Sequence, residues 1–225
     1  MSDARLRVRP CATAVGVCNP CAAVISNVRV AQEPTYLPVL QENLNAIAER
    51  MGTLHDDPVF TGFASQLASL GYPGTMSANE RLLKNFVARG VKSINTLVDA
   101  YNAVAIRHGI SIGAHRFDED RDIEVFRAPE PMRIHPMFAR KACEVPAGDL
   151  LYAVEGQPLA VLGSLDADSH EHRITAEVER VVVVILGHEY TSAAFNRARI
   201  AEVIELLGQS MPQMQAHFLE TVFET

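Results

Sequence analysis

The sequence predicts an α+β fold of mixed or antiparallel sheets with packed helices. Strand-like segments come first, helical spacing dominates from about 38 to 108, and strands return from 123 to 186. This order lacks the regular strand–helix alternation that builds a doubly wound parallel sheet. The run Val181-Val182-Val183-Val184-Ile185 has no polar alternation and, as a strand, must be covered on both faces. With 225 residues, 48% hydrophobic and 21% charged, the chain can bury a sizeable core as a single domain over 1–225.

The elements follow in order. Leu6 to Arg9, Ala14 to Val17 and Ala22 to Val30 read as short strands, with turn chemistry at Cys18-Asn19-Pro20 between the last two. From Pro38 to Arg50, Val39, Leu40, Leu44, Ile47 and Ala48 recur at helical spacing, and Gly52 stops the helix. Asp57 as N-cap and Pro58 at the first helical position open a second helix, which ends at Leu70 before Gly71. Further helices are expected over Asn79 to Ala88 and Ser93 to His108. Strands are expected at Ile123 to Phe126, Leu150 to Val154, Leu159 to Leu162 and Arg180 to Leu186. A last helix covers Ser192 to Leu207, and the tail to Thr225 reads as another short helix. Residues 1–54 are expected to pack, as strands and a helix, on the segment over about 55–207 that a family resemblance covers.

Composition excludes some classes of function. The longest uninterrupted apolar run, Val181 to Leu186, is far below the ~20 residues of a membrane-spanning helix. The net charge of −7 argues against gripping a long phosphate backbone. That charge is uneven: residues 81–141 hold 11 Lys or Arg against 7 Asp or Glu, a local balance of +4. One locally basic region can therefore sit on an acidic protein. Cys11, Cys18 and Cys21 cluster near the start, but there is no second C-x-x-C and the nearest histidine in sequence is His55. They are read as small residues packed in or beside strands rather than as a zinc or redox site. Pro10, Asn19 and Pro20 interrupt any signal-peptide core, so reduced thiols and a cytoplasmic location are expected.

No phosphate loop, G-x-S-x-G elbow or H-E-x-x-H helix occurs, and no metal or cofactor is expected. What stands out is Val98-Asp99-Ala100-Tyr101-Asn102-Ala103-Val104, then Gly109, then Gly113-Ala114-His115-Arg116-Phe117-Asp118. Asn102 lies in an apolar helix, where an unbonded carboxamide costs about 1–3 kcal/mol. His115 follows a Gly-Ala step that permits close backbone approach. From periodicity alone both residues read as structural.

The segment Ser93 to Asp118 resembles part of the B3/B4-type domain of the bacterial phenylalanyl-tRNA synthetase β subunit. Its matching positions are Val98, Asp99, Asn102, Gly109, His115, Phe117 and Asp118. Free-standing relatives are a closer match, through Val-Asp-x-Tyr-Asn-x-Val-x-x-Arg at Val98 to Arg107 and Gly-Ala-His at Gly113 to His115. Weaker echoes are Glu80-Arg81-Leu82-Leu83, Pro146 to Tyr152, and Ile174-Thr175-Ala176-Glu177.

The resemblance implies removal of a wrongly attached amino acid from a tRNA 3′ end, with the aminoacylated end or an aminoacyl-type small molecule as partner. Water attack on an activated ester needs positioning and polarisation, not a protein nucleophile. By the same resemblance, His115 and Asn102 are the catalytic candidates. Tyr101, Arg107, Gly113, Asp118, Gly163 and Thr175 are carried over as substrate-binding positions, Gly163 as a wall of the amino-acid pocket. Two features depart from the family. The last core strand carries no glutamate, and Ser164-Leu165-Asp166-Ala167-Asp168 stands where free-standing relatives have a tryptophan-containing stretch. His170-Glu171-His172-Arg173 could supply replacement polar groups but reads as a solvated loop. A binding module without turnover, or a small-molecule enzyme reusing the pocket, are therefore the alternative readings.

Overall fold

The computed structural model describes residues 4–118 and 120–225. In chain order the elements are β1 (Arg5–Val8), α1 (Pro10–Thr13), β2 (Cys21–Ser26), α2 (Leu37–Ala48), a 3-10 helix (Met51–Asp56), α3 (Pro58–Ser69), α4 (Ala78–Arg89) and α5 (Thr96–His108). Then follow β3 (Gly113–Arg116), β4 (Ile123–Arg127), β5 (Met132–Ile134), β6 (Cys143–Val145), β7 (Leu150–Val154), β8 (Gln157–Leu162), β9 (Asp166–Asp168) and β10 (Arg180–Ile185). The chain closes with α6 (Ala193–Gly208), β11 (Gln215–Phe218) and β12 (Glu220–Phe223).

The strands form a six-stranded sheet, β12-β1-β4-β7-β8-β9, a four-stranded sheet, β11-β2-β10-β3, and the β5-β6 hairpin. The fold is α+β, with the six-stranded sheet mixed and the four-stranded sheet antiparallel. Strand β10 explains the layering. Its Val182 and Val184 join Leu150, Tyr152, Leu159 and Ala160 in a core between the two sheets. Its Val181, Val183 and Ile185 face the other way, onto Leu97, Ala100 and Val104 of α5 and Ile200, Val203 and Leu207 of α6. A third core joins α2, α4 and α5 through Leu40, Leu44, Leu83, Ala103 and Ile106. The outer face of the six-stranded sheet, with Phe126, Leu151 and Val161, is covered by Ile134 and Val145 of the hairpin.

Local signals set several boundaries. Asp57 accepts a 2.9 Å hydrogen bond from Val59 N–H at the start of α3, with Pro58 in the first turn. Asn95 caps α5 in the same way, and Gly109, in the left-handed region at φ 66°, ends it. The short strands β3, β5, β6 and β9 were not expected, and two expected elements take another form. Pro10 starts a single helical turn, so Ala14 to Val17 form no strand, although Val15 and Val17 are buried as the apolar pattern requires. The tail is not helical. It pairs antiparallel with β2 and then parallel with β1, because those strands offer open edges whose backbone groups need partners. β1 and β2 thereby lie inside their sheets, each with a strand on both sides. No helix among the described residues is long and apolar enough to cross a membrane.

Candidate functional site

A cavity of about 420 Å³ opens between the two sheets, with α4 along one side. Its floor and walls are largely apolar, from Phe63, Ile112, Ala160, Leu162, Val184 and Leu186. From the six-stranded sheet, polar groups enter along two neighbouring rows, and Arg81 and Asn85 add others from α4. Tyr152 on β7 is directly opposite Ala160 on β8, which is opposite Asp168 on β9. Side chains in one row share a face of the sheet, so the small Ala160 leaves open space between a phenol and a carboxylate. In the next row Leu162 pairs with Asp166, which puts both aspartates of Asp166-Ala167-Asp168 on the cavity side.

His115 reaches this row from the opposite sheet. It is 1% exposed, lies opposite Val182 on β10, and its Nε2 sits 2.6 Å from the Tyr152 hydroxyl. Gly113 makes the contact possible: a Cβ there would lie 2.3 Å from that hydroxyl and 3.1 Å from His115 Nε2. The two rings meet edge to face at 5.3 Å. His115 therefore acts on the cavity through Tyr152, which lines it, rather than lining it directly.

The electrostatics are those of a crowded site with little compensation. Burial, with a smaller contribution from His172, pushes the His115 imidazole down to about 3, so the ring is neutral. Burial and the nearby Asp168, Asp166 and Tyr101 hold the Tyr152 phenol well above its usual range. Asp166 is ion-paired with Arg81 at 2.5 Å, yet burial still raises its carboxyl above the ordinary range. Asp168 is pushed up to about 6 by the protein packed around it and by Asp166. Its side chain nonetheless keeps 45% of its surface open, and among the described residues the basic group within ion-pair range is the neutral His115, 4.0 Å away. The site thus holds a carboxylate without a cation, a neutral histidine, and a phenol that keeps its proton.

The residues expected from the sequence divide sharply. Gly113, His115 and Tyr101 belong to this neighbourhood. Burial, with smaller contributions from Asp168 and Asp99, raises the Tyr101 hydroxyl above its usual range. Asn102 is buried in α5 at 6% exposure and is not among the residues lining the cavity. Arg107 lies elsewhere, because six positions along a helix turn about 240° around its axis. It pairs with Glu202 at 2.9 Å beside two smaller hollows of about 190 Å³. Asp118 is an exposed partner of Arg116. Thr175 sits in a turn, where its carbonyl accepts from Val178 N–H.

Gly163 is not a cavity wall either. It adopts φ +149°, and a Cβ there would come 2.5 Å from the Asp149 carboxylate. That carboxylate instead accepts from the Tyr72 hydroxyl and from Ser164 N–H and O–H. Gly163 makes room for a structural anchor. The sequence reading passed over Tyr152, Asp166, Asp168 and Arg81 as site residues. The signal for the aspartates was Asp-Ala-Asp: two carboxylates at strand spacing fall on one face. Cys18 and Cys21 take no part in the cavity. Burial raises both thiols, Cys21 to about 11, and Cys21 is packed in β2. No cluster of three or more metal-ligating side chains occurs among the described residues.

Three comparisons bear on this arrangement. The B3/4 domain family matches residues 71–209, more than half of the chain and the segment that supplies α4, α5, β3 and β7 to β10. In structure the chain is similar to an N-terminal fragment of the phenylalanyl-tRNA synthetase β-subunit from Pyrococcus horikoshii, with a TM-score of 0.52 and 11% identity. That likeness covers 99% of this chain and 53% of the fragment, so the chain spans about half the length of the protein it resembles, and the likeness is one of fold. No curated protein matches it in sequence. A sequence match that carries the cavity strands, set on the same fold as a synthetase β-subunit fragment, identifies the chain as a member of the B3/4 domain family.

Proposed function

We propose that this protein is a free-standing aminoacyl-tRNA deacylase that hydrolyses the ester joining a mischarged or non-protein amino acid to the tRNA 3′ end. The observation that carries the reading is the row Tyr152–Ala160–Asp168, with neutral His115 behind it, in a cavity with apolar walls. The walls suit an apolar amino-acid side chain. Asp166 and Asp168 give the cavity a negative side that suits the substrate's ammonium group. Asp168, pushed up to about 6, is ionised at neutral pH yet basic enough to take a proton from water.

In this reading a water held by Asp168 attacks the ester carbonyl carbon, and its proton passes to the carboxylate. The Tyr152 O–H donates to the developing oxyanion, while His115 Nε2–H donates to the Tyr152 oxygen and holds that hydroxyl in place. Collapse breaks the ester bond, and the tRNA 3′ terminal oxygen leaves with the proton that Asp168 had taken. The amino acid and the free tRNA end are the products. No protein nucleophile is required. A net charge of −7 is tolerable because only the acceptor end enters.

The test is to incubate the folded protein with tRNAs carrying a panel of wrong and non-protein amino acids and to follow release of each. Selective release from one or a few members supports the reading. No release above buffer from any member contradicts it. Tight binding of an aminoacyl-adenosine analogue in a protein that leaves esters intact would favour a recognition module instead.

A further inference from the structure

We infer that Phe138 is a stacking platform for the terminal nucleobase of the substrate, set on the rim of the cavity; this rests on the deacylase reading and extends it to the nucleotide. Phe138 is 93% exposed, the most exposed large apolar side chain among the described residues, and it lines the cavity entrance with Arg81 and Asn85 of α4. A fully solvated phenyl ring at a cavity mouth gains nothing for the fold, because it buries no surface. Nor is it a loose tip. The turn between β5 and β6 is fixed on both sides of Phe138. Met137 N–H donates to the Asp168 carbonyl at 2.9 Å, Pro136 bridges Ser169, and Ala139 N–H donates to the Pro136 carbonyl at 3.0 Å. His135 stacks on His170 with ring centroids 4.5 Å apart, and its Nε2 meets the Ala139 carbonyl at 2.9 Å. The ring is thus presented rigidly, beside the residue that carries the cavity's free carboxylate.

The surroundings identify the occupant. Arg140 and Lys141 follow immediately, are exposed, and form no ion pair with a described residue. They lie at the end of the 81–141 segment whose balance is +4. An exposed aromatic ring followed two and three residues on by exposed cations suits single-stranded nucleic acid, the ring taking a base and the cations its phosphates. The carboxylates lie inside the cavity, so the amino acid enters while the base stays on the rim and the phosphates stay outside. A protein partner would be expected to cover a larger apolar patch than one ring.

The chain contains no tryptophan, which supplies a direct probe. Phe138→Trp places one indole on the rim. Adenosine 5′-monophosphate is expected to quench its fluorescence saturably, whereas ribose 5-phosphate, with the same charge and no base, leaves it unchanged. In parallel, Phe138→Ala is expected to raise KM for an aminoacyl-tRNA roughly 5- to 150-fold, the equivalent of one stacked base. Equal response to the two phosphates, or an unchanged KM in Phe138→Ala protein of wild-type melting temperature, overturns the platform. Base-selective quenching in a protein that releases no amino acid keeps the platform and overturns the deacylase reading, so the two failures are distinguishable.

Discussion

His108 and His115 stand seven residues apart, one closing α5 and the other on β3, and their surroundings differ in what they leave undone. His108 Nε2 lies 2.8 Å from Glu202, which also takes Arg107 at 2.9 Å and Arg199 at 3.5 Å. Burial lowers the His108 imidazole against the opposing pull of Glu202, and both arginines share that carboxylate, although Arg199 Nε is buried without a hydrogen-bond partner. His115 is buried more deeply and bonds a phenol rather than an acid, beside a carboxylate that has no cation among the described residues. The first cluster has its charges paired without a ligand. The second becomes complete only when something polar or cationic enters the cavity, and that difference, more than burial or the presence of histidine, marks a site.

The comparison is broken most severely at Asp168. Asp168→Asn keeps the shape and removes the base, and deacylation is expected to fall by about 10²- to 10⁴-fold in single-turnover assays. Stability should move the opposite way. In the folded chain Asp168 holds its proton up to about pH 6, against an ordinary value of 3.8, so the wild-type protein loses stability as pH rises between these values. Asp168→Asn removes that loss, and denaturant melts at pH 7 should show a variant at least as stable as wild type. A less stable variant would mean that the carboxylate has a structural partner after all.

Gly113→Ala tests the contact behind the row. The added methyl meets the Tyr152 hydroxyl at 2.3 Å, and both that phenol and His115 are buried and cannot swing away. Overpacking of this kind costs about 1–3 kcal/mol, and pushing Tyr152 off its position should lower kcat about tenfold or more. Thermal melts and single-turnover rates on the same preparation check both.

His115→Gln sharpens the electrostatic contrast. Folded His115 stays neutral down to about pH 3, whereas the unfolded chain takes up a proton near 6.5, so this residue makes wild type less stable as pH falls below 6.5. Between about pH 4 and 6 that slope opposes the slope from Asp168. The variant should therefore lose the histidine's share of the acid sensitivity in melts recorded across this range.

The smallest effect is expected on the completed side. Arg107 is 60% exposed, and its ion pair with Glu202 is of the surface kind, worth below about 1 kcal/mol. Arg107→Ala should leave deacylation unchanged and barely shift the melting temperature.

How much was legible in the sequence follows from how local each feature is. The α3 cap at Asp57-Pro58 and the doubly buried β10 depend on neighbouring residues and were readable. β11 and β12 were not, because their conformation is fixed by the open edges of β2 and β1, near the other end of the chain. The site shows the same division. His115 and Gly113 carry a motif, but the row they meet depends on the register of three strands, which periodicity does not set. Asp166-Ala167-Asp168 was not among the expected strands, because a three-residue strand is too short to show alternation convincingly. Arg107 and Gly163 followed the resemblance, yet the structure gives one a surface ion pair and the other the task of admitting Asp149.

The central claim is that Asp168 is the cavity's uncompensated base. Its most direct test is the pH dependence of single-turnover release from a cognate mischarged tRNA, in wild type and in Asp168→Asn. The account predicts a wild-type rate that rises with pH through a midpoint near 6 and a low rate in the variant without that step. A variant as fast as wild type, or one that keeps the same step, would contradict it.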